Sequence, residues 1–157
     1  KNNPTIDGTI AYVYERYVDY CWKNKSFDFD DLITYTILLL SSFQDVSDWV
    51  HNNIKYIMVD ECQDTNSAQF VLIKLIRGDN NTMLVGDVNQ SIYAFRNAKP
   101  KYLENFADTT PNTIKLKLEQ NYRSTRNIIN AANEVVKNNK FGTKIEMFCD
   151  NEDGKKV

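Results

Sequence analysis

The sequence predicts an α/β fold built on a parallel sheet, and three features carry that expectation. Two short apolar runs, Tyr56–Val59 and Thr82–Val85, each end in acidic residues, Asp60-Glu61 and Asp87. Between them Ala68, Val71, Leu72, Leu75 and Ile76 share one face at helical spacing, the signature of an amphipathic helix. Strand, helix and strand within about 30 residues form a βαβ unit, which implies parallel strands and a right-handed crossover.

Upstream, Ile10, Val13, Tyr14, Tyr17, Val18 and Cys21 fall on one helical face and Glu15, Arg16, Asp19 and Lys23 on the other. A helix is therefore expected from Asp7 to Asn24, its aromatic stripe read as core rather than as a stacking platform. The stretch "SFDFDDLITYTILLL" starts a second helix near Asp28, with acids in the first turn, where the macrodipole favours them. Trp49 to Asn53 reads as a short further helix or loop. Tyr56–Val59 is a continuous apolar run, as expected of a strand covered on both faces. Asn66 and Gln69 can cap the next helix at its start and Gly78 can end it.

Beyond the βαβ unit, Thr113–Leu118 reads as a third strand, with Lys115 and Lys117 on its wet face and Ile114, Leu116 and Leu118 on the other. Ser124 is expected to cap a helix with the stripe Ile128, Ala131, Ala132, Val135 and Val136. Ile145–Phe148 and a turn at Asn151–Gly154 suggest a last strand entering a hairpin that the chain does not complete.

Composition narrows the classes of function. The 157 residues are 42% hydrophobic and 25% charged, an ordinary globular balance sufficient for one domain or for one domain and part of another. The net charge of −2 supplies no basic footprint, so a nucleic-acid partner must be read by a local surface. Cys21, Cys62 and Cys149 are far apart, no CxxC occurs and His51 is the only histidine, which argues against a zinc site. Free thiols in a reducing, cytoplasmic setting are the expectation. No apolar run is long enough to cross a membrane, and no signal peptide is seen. The chain opens at Lys1 without a methionine and reads as a piece of something longer.

In an open parallel sheet, ligands sit outside the carboxyl ends of the strands. Asp60, Glu61 and Asp87 are delivered there. Hard oxygen ligands without His or Cys suit Mg²⁺, which takes one or two carboxylates and fills its shell with water and phosphate oxygens. Asp60 would hold the ion, and Glu61 would orient and deprotonate a water attacking phosphorus. Taken alone, the pair reads more simply as solvated acids at a strand end.

The flanking residues tip that balance. "VDECQDTN", "LVGDVNQSIYAFRNA" and "LEQNYRST" resemble, in order and spacing, signatures of the superfamily 1 DNA helicases of the UvrD, PcrA and Rep type, and "FDFDDLI" is similar to the segment by which that family re-enters its first motor domain. The resemblance runs from Tyr12 to Val157. It implies a partial RecA-like (P-loop NTPase) parallel sheet flanked by helices and incomplete at both ends. Residues 1–26 would end an inserted helical subdomain, 27–118 would form the C-terminal half of the first motor domain, and 119–157 would open the second.

The resemblance also implies roles. Asp60 and Glu61 match the Walker B pair of Mg²⁺ ligand and catalytic base, and Gln63 a residue that organises the nucleotide site. Gln90 matches the glutamine that senses the γ-phosphate. Tyr93 and Phe95 match positions on which single-stranded bases stack, with Arg96 alongside, and stacking of that kind is sequence-tolerant. Tyr122 matches the residue stacking on adenine, and Arg123 the arginine reaching the γ-phosphate. Simpler readings exist for some of these. One of Tyr93 and Phe95 can be core, and Arg123 with Arg126 can be a solvated first turn, although arginine there opposes the helix dipole.

Three positions depart from the family pattern. Asn89 stands where relatives often carry Asp, Phe95 where Trp is commoner, and Asn97 where Gly usually precedes Ala98, which predicts a differently shaped loop after Arg96. No G-x-x-x-x-G-K-[ST] occurs among the 157 residues, and the five glycines cannot form one. The expectation is a portion of an ATP-driven, 3′–5′ translocase and helicase of DNA repair or replication, using ATP and Mg²⁺ on single-stranded and duplex DNA and inactive when isolated. The alternatives are the motor of an AddA- or RecB-type helicase–nuclease, a non-catalytic DNA- or protein-binding module, or a generic α/β binding domain. A sheet lacking a strand would also leave an open edge, so dimerisation or aggregation is expected.

Overall fold

The computed structural model describes residues 6–139, 142 and 144–157. Among the described residues six helices are interleaved with a two-stranded parallel sheet: α1 (Ile6–Lys23), α2 (Phe29–Ser42), α3 (Gln44–Asn53), β1 (Tyr56–Val59), α4 (Ser67–Arg77), β2 (Asn81–Leu84), α5 (Lys101–Thr109) and α6 (Arg126–Lys137). Two compact units result, Lys1–Lys55 with Val71–Asp79, and Tyr56–Phe70 with Asn80–Val157.

In the first unit the expected helices form. Asp28 caps α2 in a reciprocal box with Asp31: the Asp31 N–H donates to Asp28 Oδ1 (2.8 Å) and the Asp28 N–H to Asp31 Oδ2 (3.2 Å). The Tyr17 hydroxyl donates to Asp28 Oδ2 at 2.9 Å. These donors, the Asp31 N–H foremost, hold the Asp28 carboxyl below its ordinary range. α3 is longer than the segment from Trp49 suggested, and packs on α2 with Leu40 and Ser47 buried. The stripe of α1 does not become core: Ile10, Val13, Tyr14 and Tyr17 are exposed. Helical periodicity identifies a face that favours burial, but a partner must exist to bury it.

The second unit contains the sheet. β1 and β2 pair in parallel with Tyr56 opposite Asn81 and Val59 opposite Leu84. The strand is not covered on both faces as its apolar run suggested. Ile57 and Val59 are half-buried, but Tyr56 and Met58 are 74% and 78% exposed, because no layer among the described residues lies on that side. β2 begins one residue before the predicted run. Val85 extends the pairing by donating its N–H to Val59 O at 2.8 Å. α4 is capped as expected, the Asn66 N–H donating to Gln69 Oε1 and the Gln69 N–H to Asn66 Oδ1, both at 3.0 Å. Gly78 ends it in the left-handed region, φ +50°.

Three expectations for the C-terminal part are corrected. Thr113–Leu118 forms no strand, and Ile114, Leu116 and Leu118 are 80%, 83% and 84% exposed; without a neighbouring strand its alternation has no ladder to join. Ile145–Phe148 is no strand of a hairpin either, and contributes one isolated parallel bridge, Gln120 with Phe148. The cap of α6 is Thr125 rather than Ser124. Its buried positions are Ile129 and Asn133, while Ile128 and Val135 are exposed. Asn133 is buried because its amide is satisfied twice by Met147, donating to the carbonyl (2.7 Å) and accepting from the N–H (3.1 Å). α5, not anticipated, follows Pro100 and buries Phe106, with Tyr102 stacked on Phe70 at 4.2 Å.

Candidate functional site

The acids lie where the strands end. Asp60 and Glu61 follow β1 directly, and both are exposed. Glu61 turns the chain sharply, with φ 50° and ψ 38° in the left-handed region, a conformation costing a non-glycine residue roughly 1–2 kcal/mol. Such strain persists only where neighbours over-determine it. Here the Glu61 N–H donates to Asp60 Oδ1 at 2.9 Å, the next N–H, of Cys62, donates to Val85 O at 2.9 Å, and Gln63 Nε2 donates to Glu61 Oε2 at 2.7 Å.

Gln63 is the hub, with 2% of its surface exposed. Its Oε1 accepts the Asp87 N–H at 3.1 Å, and its carbonyl accepts the Ser91 hydroxyl at 3.4 Å. Asp87 in turn accepts the Asn89 N–H (2.9 Å) and the Gln90 side-chain amide (2.8 Å). Hydrogen bonds therefore run without a break from Glu61 through Gln63 and Asp87 to Gln90. Cys62 and Thr65 are buried beside this chain, and burial pushes the Cys62 thiol above its ordinary value. All three cysteines are free. Asp64 Oδ1 is buried without a hydrogen-bond partner among the described residues, a costly state that a donor or a cation would relieve.

Tyr93, Phe95 and Arg96 form a second group. The two rings are 5.8 Å apart at 61°, and the Arg96 guanidinium lies over both, 5.1 Å and 5.5 Å from their centres. Phe95 is exposed, whereas Tyr93 is half-buried. Asn97 adopts the left-handed conformation, φ 61° and ψ 25°, and Ala98 is buried behind it. Asparagine at this position thus keeps the backbone form that glycine would take with less strain.

Tyr122 and Arg123 form a third group. The Asn121 side-chain oxygen Oδ1 accepts the Arg123 and Ser124 N–H groups at 2.9 Å and 2.8 Å in a side-chain turn, and Tyr122 and Arg123 are exposed. The Tyr122 hydroxyl donates to Gln120 Oε1 at 2.7 Å, and Gln120 Nε2 to Asp150 Oδ2 at 2.8 Å. Among the described residues no hydrogen bond or ion pair joins this group to Asp60, Glu61 or Gln90.

Two residues arrange the acids and aromatics. Asp87 is legible in the sequence as a strand-end acid, but its grip on Gln90 needs the loop geometry. Asn121 was not singled out, although Asn two positions before Arg123 is a legible turn signal.

Residues 1–111 match the UvrD/REP helicase N-terminal domain, and the chain belongs to that family. It is 42% identical over 154 residues to a probable DNA helicase II homolog of Mycoplasma capricolum, covering 98% of this chain and 21% of that protein. It is likewise 42% identical over 149 residues to the ATP-dependent DNA helicase PcrA of Staphylococcus aureus, covering 94% of this chain and 20% of that protein. The PcrA of Staphylococcus epidermidis matches to the same extent. The chain thus spans about a fifth of the length of these relatives.

Proposed function

We propose that this chain is part of an ATP-dependent DNA helicase and translocase that moves 3′–5′ on single-stranded DNA and unwinds duplex in repair or replication. The observation that carries the reading is the unbroken hydrogen-bond chain from Glu61 to Gln90, in a family member whose relatives are named as DNA helicases. A motor needs its hydrolytic acid and its phosphate sensor in mechanical register, and these contacts supply it. Residues 1–26, 27–118 and 119–157 take the places of an inserted subdomain, the back of a first RecA-like domain and the start of a second.

The donor chemistry fits Mg²⁺. Among the described residues no three His, Cys, Asp or Glu side chains gather to hold a metal, so an ion here would rest on Asp60 and complete its shell with water and phosphate oxygens. When bound, magnesium neutralises phosphate charge. Glu61 accepts the proton of the attacking water, and Gln90 exchanges Asp87 for the γ-phosphate. Arg123 offsets transition-state charge and Tyr122 stacks on adenine. Tyr93, Phe95 and Arg96 hold successive bases by stacking and cation–π contact, without reading sequence. The protein acts in the cytoplasm, and no helix among the described residues is long and apolar enough to cross a membrane. The isolated chain, with no phosphate-loop sequence, does not turn over ATP and self-associates.

The test is ATP turnover by the full-length protein with and without single-stranded DNA. DNA-stimulated hydrolysis that Glu61→Gln lowers by about 10²–10⁴-fold is the expected result. Turnover untouched by that substitution sinks the assignment of Glu61, and no turnover at all sinks the motor.

A further inference from the structure

We propose that Gln63 is a positioning residue: its buried amide ties the Glu61 carboxylate to the backbone of Asp87, and Gly86 exists to leave room for it. The inference rests on the ATPase reading for its functional consequence, but the tie itself does not.

The chemistry of the two ends fixes the amide. The Asp87 N–H is an obligatory donor, so the oxygen of Gln63 must face it, at 3.1 Å. The nitrogen is then turned to Glu61 Oε2 at 2.7 Å, and a carboxylate at that end can only accept. Glutamine is the side chain of this size with an acceptor at one end and a donor at the other. Glutamate would set an acceptor against an acceptor, with Asp64 Oδ2 adding a third, 3.4 Å from the present nitrogen. With 2% exposure and both ends engaged, the amide has no face left for nucleotide.

Gly86 completes the device. A Cβ there would stand 2.4 Å from Gln63 Oε1, 3.0 Å from Leu103 and 3.1 Å from the Cys62 nitrogen. The closest of these is the oxygen that makes the tie, so any side chain at position 86 displaces it. Because Glu61 sits in a strained turn, its carboxylate depends on this second anchor for direction. The Gln63 carbonyl, accepting the Ser91 hydroxyl at 3.4 Å, links the same residue to the loop that leads into Tyr93 and Phe95. The acid and the aromatic cluster thereby share one anchor.

Two measurements test this. In the full-length protein, Gln63→Glu, which preserves shape, and Gly86→Ala, which moves the oxygen from the other side, should each lower kcat for ATP by about 100-fold, the usual scale of a misplaced catalytic group, with KM for ATP unchanged. A rise in KM at constant kcat makes Gln63 a nucleotide contact and overturns the proposal, as does an unchanged kcat. In the full-length protein, labelled at glutamine, the side-chain amide protons of Gln63 should exchange slowly by NMR and shift in Glu61→Ala. Fast exchange with no shift overturns the tie. Should the wild-type protein turn over no ATP, the hydrolysis reading falls alone and the NMR result still decides the tie.

Discussion

Two parts of the second unit treat polarity in opposite ways. In the loops that follow β1 and β2, polar residues are buried: Gln63 and Thr65 lie inside, joined by hydrogen bonds to Glu61, Asp87, Ser91 and Lys99. In Thr113–Leu118, apolar residues are bare, with Ile114, Leu116 and Leu118 all facing solvent. The first region satisfies its buried polar groups from within some 40 residues, Asp64 Oδ1 excepted. The second carries a strand pattern whose hydrogen bonds and apolar face both require another strand. Local networks close on themselves; sheet patterns do not.

Three substitutions test that contrast. The largest effect belongs to Phe70, buried and stacked on Tyr102 at 4.2 Å. Phe70→Ala should cost about 3–5 kcal/mol, a large share of an ordinary domain's stability. Urea denaturation followed by circular dichroism measures it, and a cost below roughly 1 kcal/mol means the loop region is not packed as described. Next is Asn66→Ala, which removes one half of the reciprocal cap on α4 and should cost about 1 kcal/mol in the same assay. The smallest is Leu116→Ser, which should change stability by less than about 0.5 kcal/mol and reduce self-association in light scattering. A large destabilisation there would reveal a packed strand and abolish the contrast.

The two regions also differ in how far the residues alone foretell them. The cap at Asn66, the stop at Gly78 and the acids at the strand ends are legible because each depends on neighbours within one or two turns of chain, and the parallel pair is legible because the strand–helix–strand order implies it. The aromatic pair and the arginine beside it are legible as a group only through the family resemblance of the stretch that holds them. α5 was missed although Tyr102, Leu103 and Phe106 stand at helical spacing, since its nine residues are too few for a firm period. The stripes of α1 and α6 and the third strand misled for one shared reason: a pattern states which face prefers burial, not whether anything covers it.

What the residue order determines here is local. It sets the helices and their caps, the short strands, the left-handed turn at Asn97 and the identity of the chemical groups. Tertiary structure alone decided that Gln63 is buried and two-ended, that Asp87 holds Gln90, and that Gly86 must lack a side chain. The physical reason is distance along the chain. Caps and turns are satisfied by groups a few residues away, whereas the Gln63–Asp87 contact joins residues 24 apart, and only the docking of one strand beside another brings a donor and an acceptor so far separated within 3.1 Å.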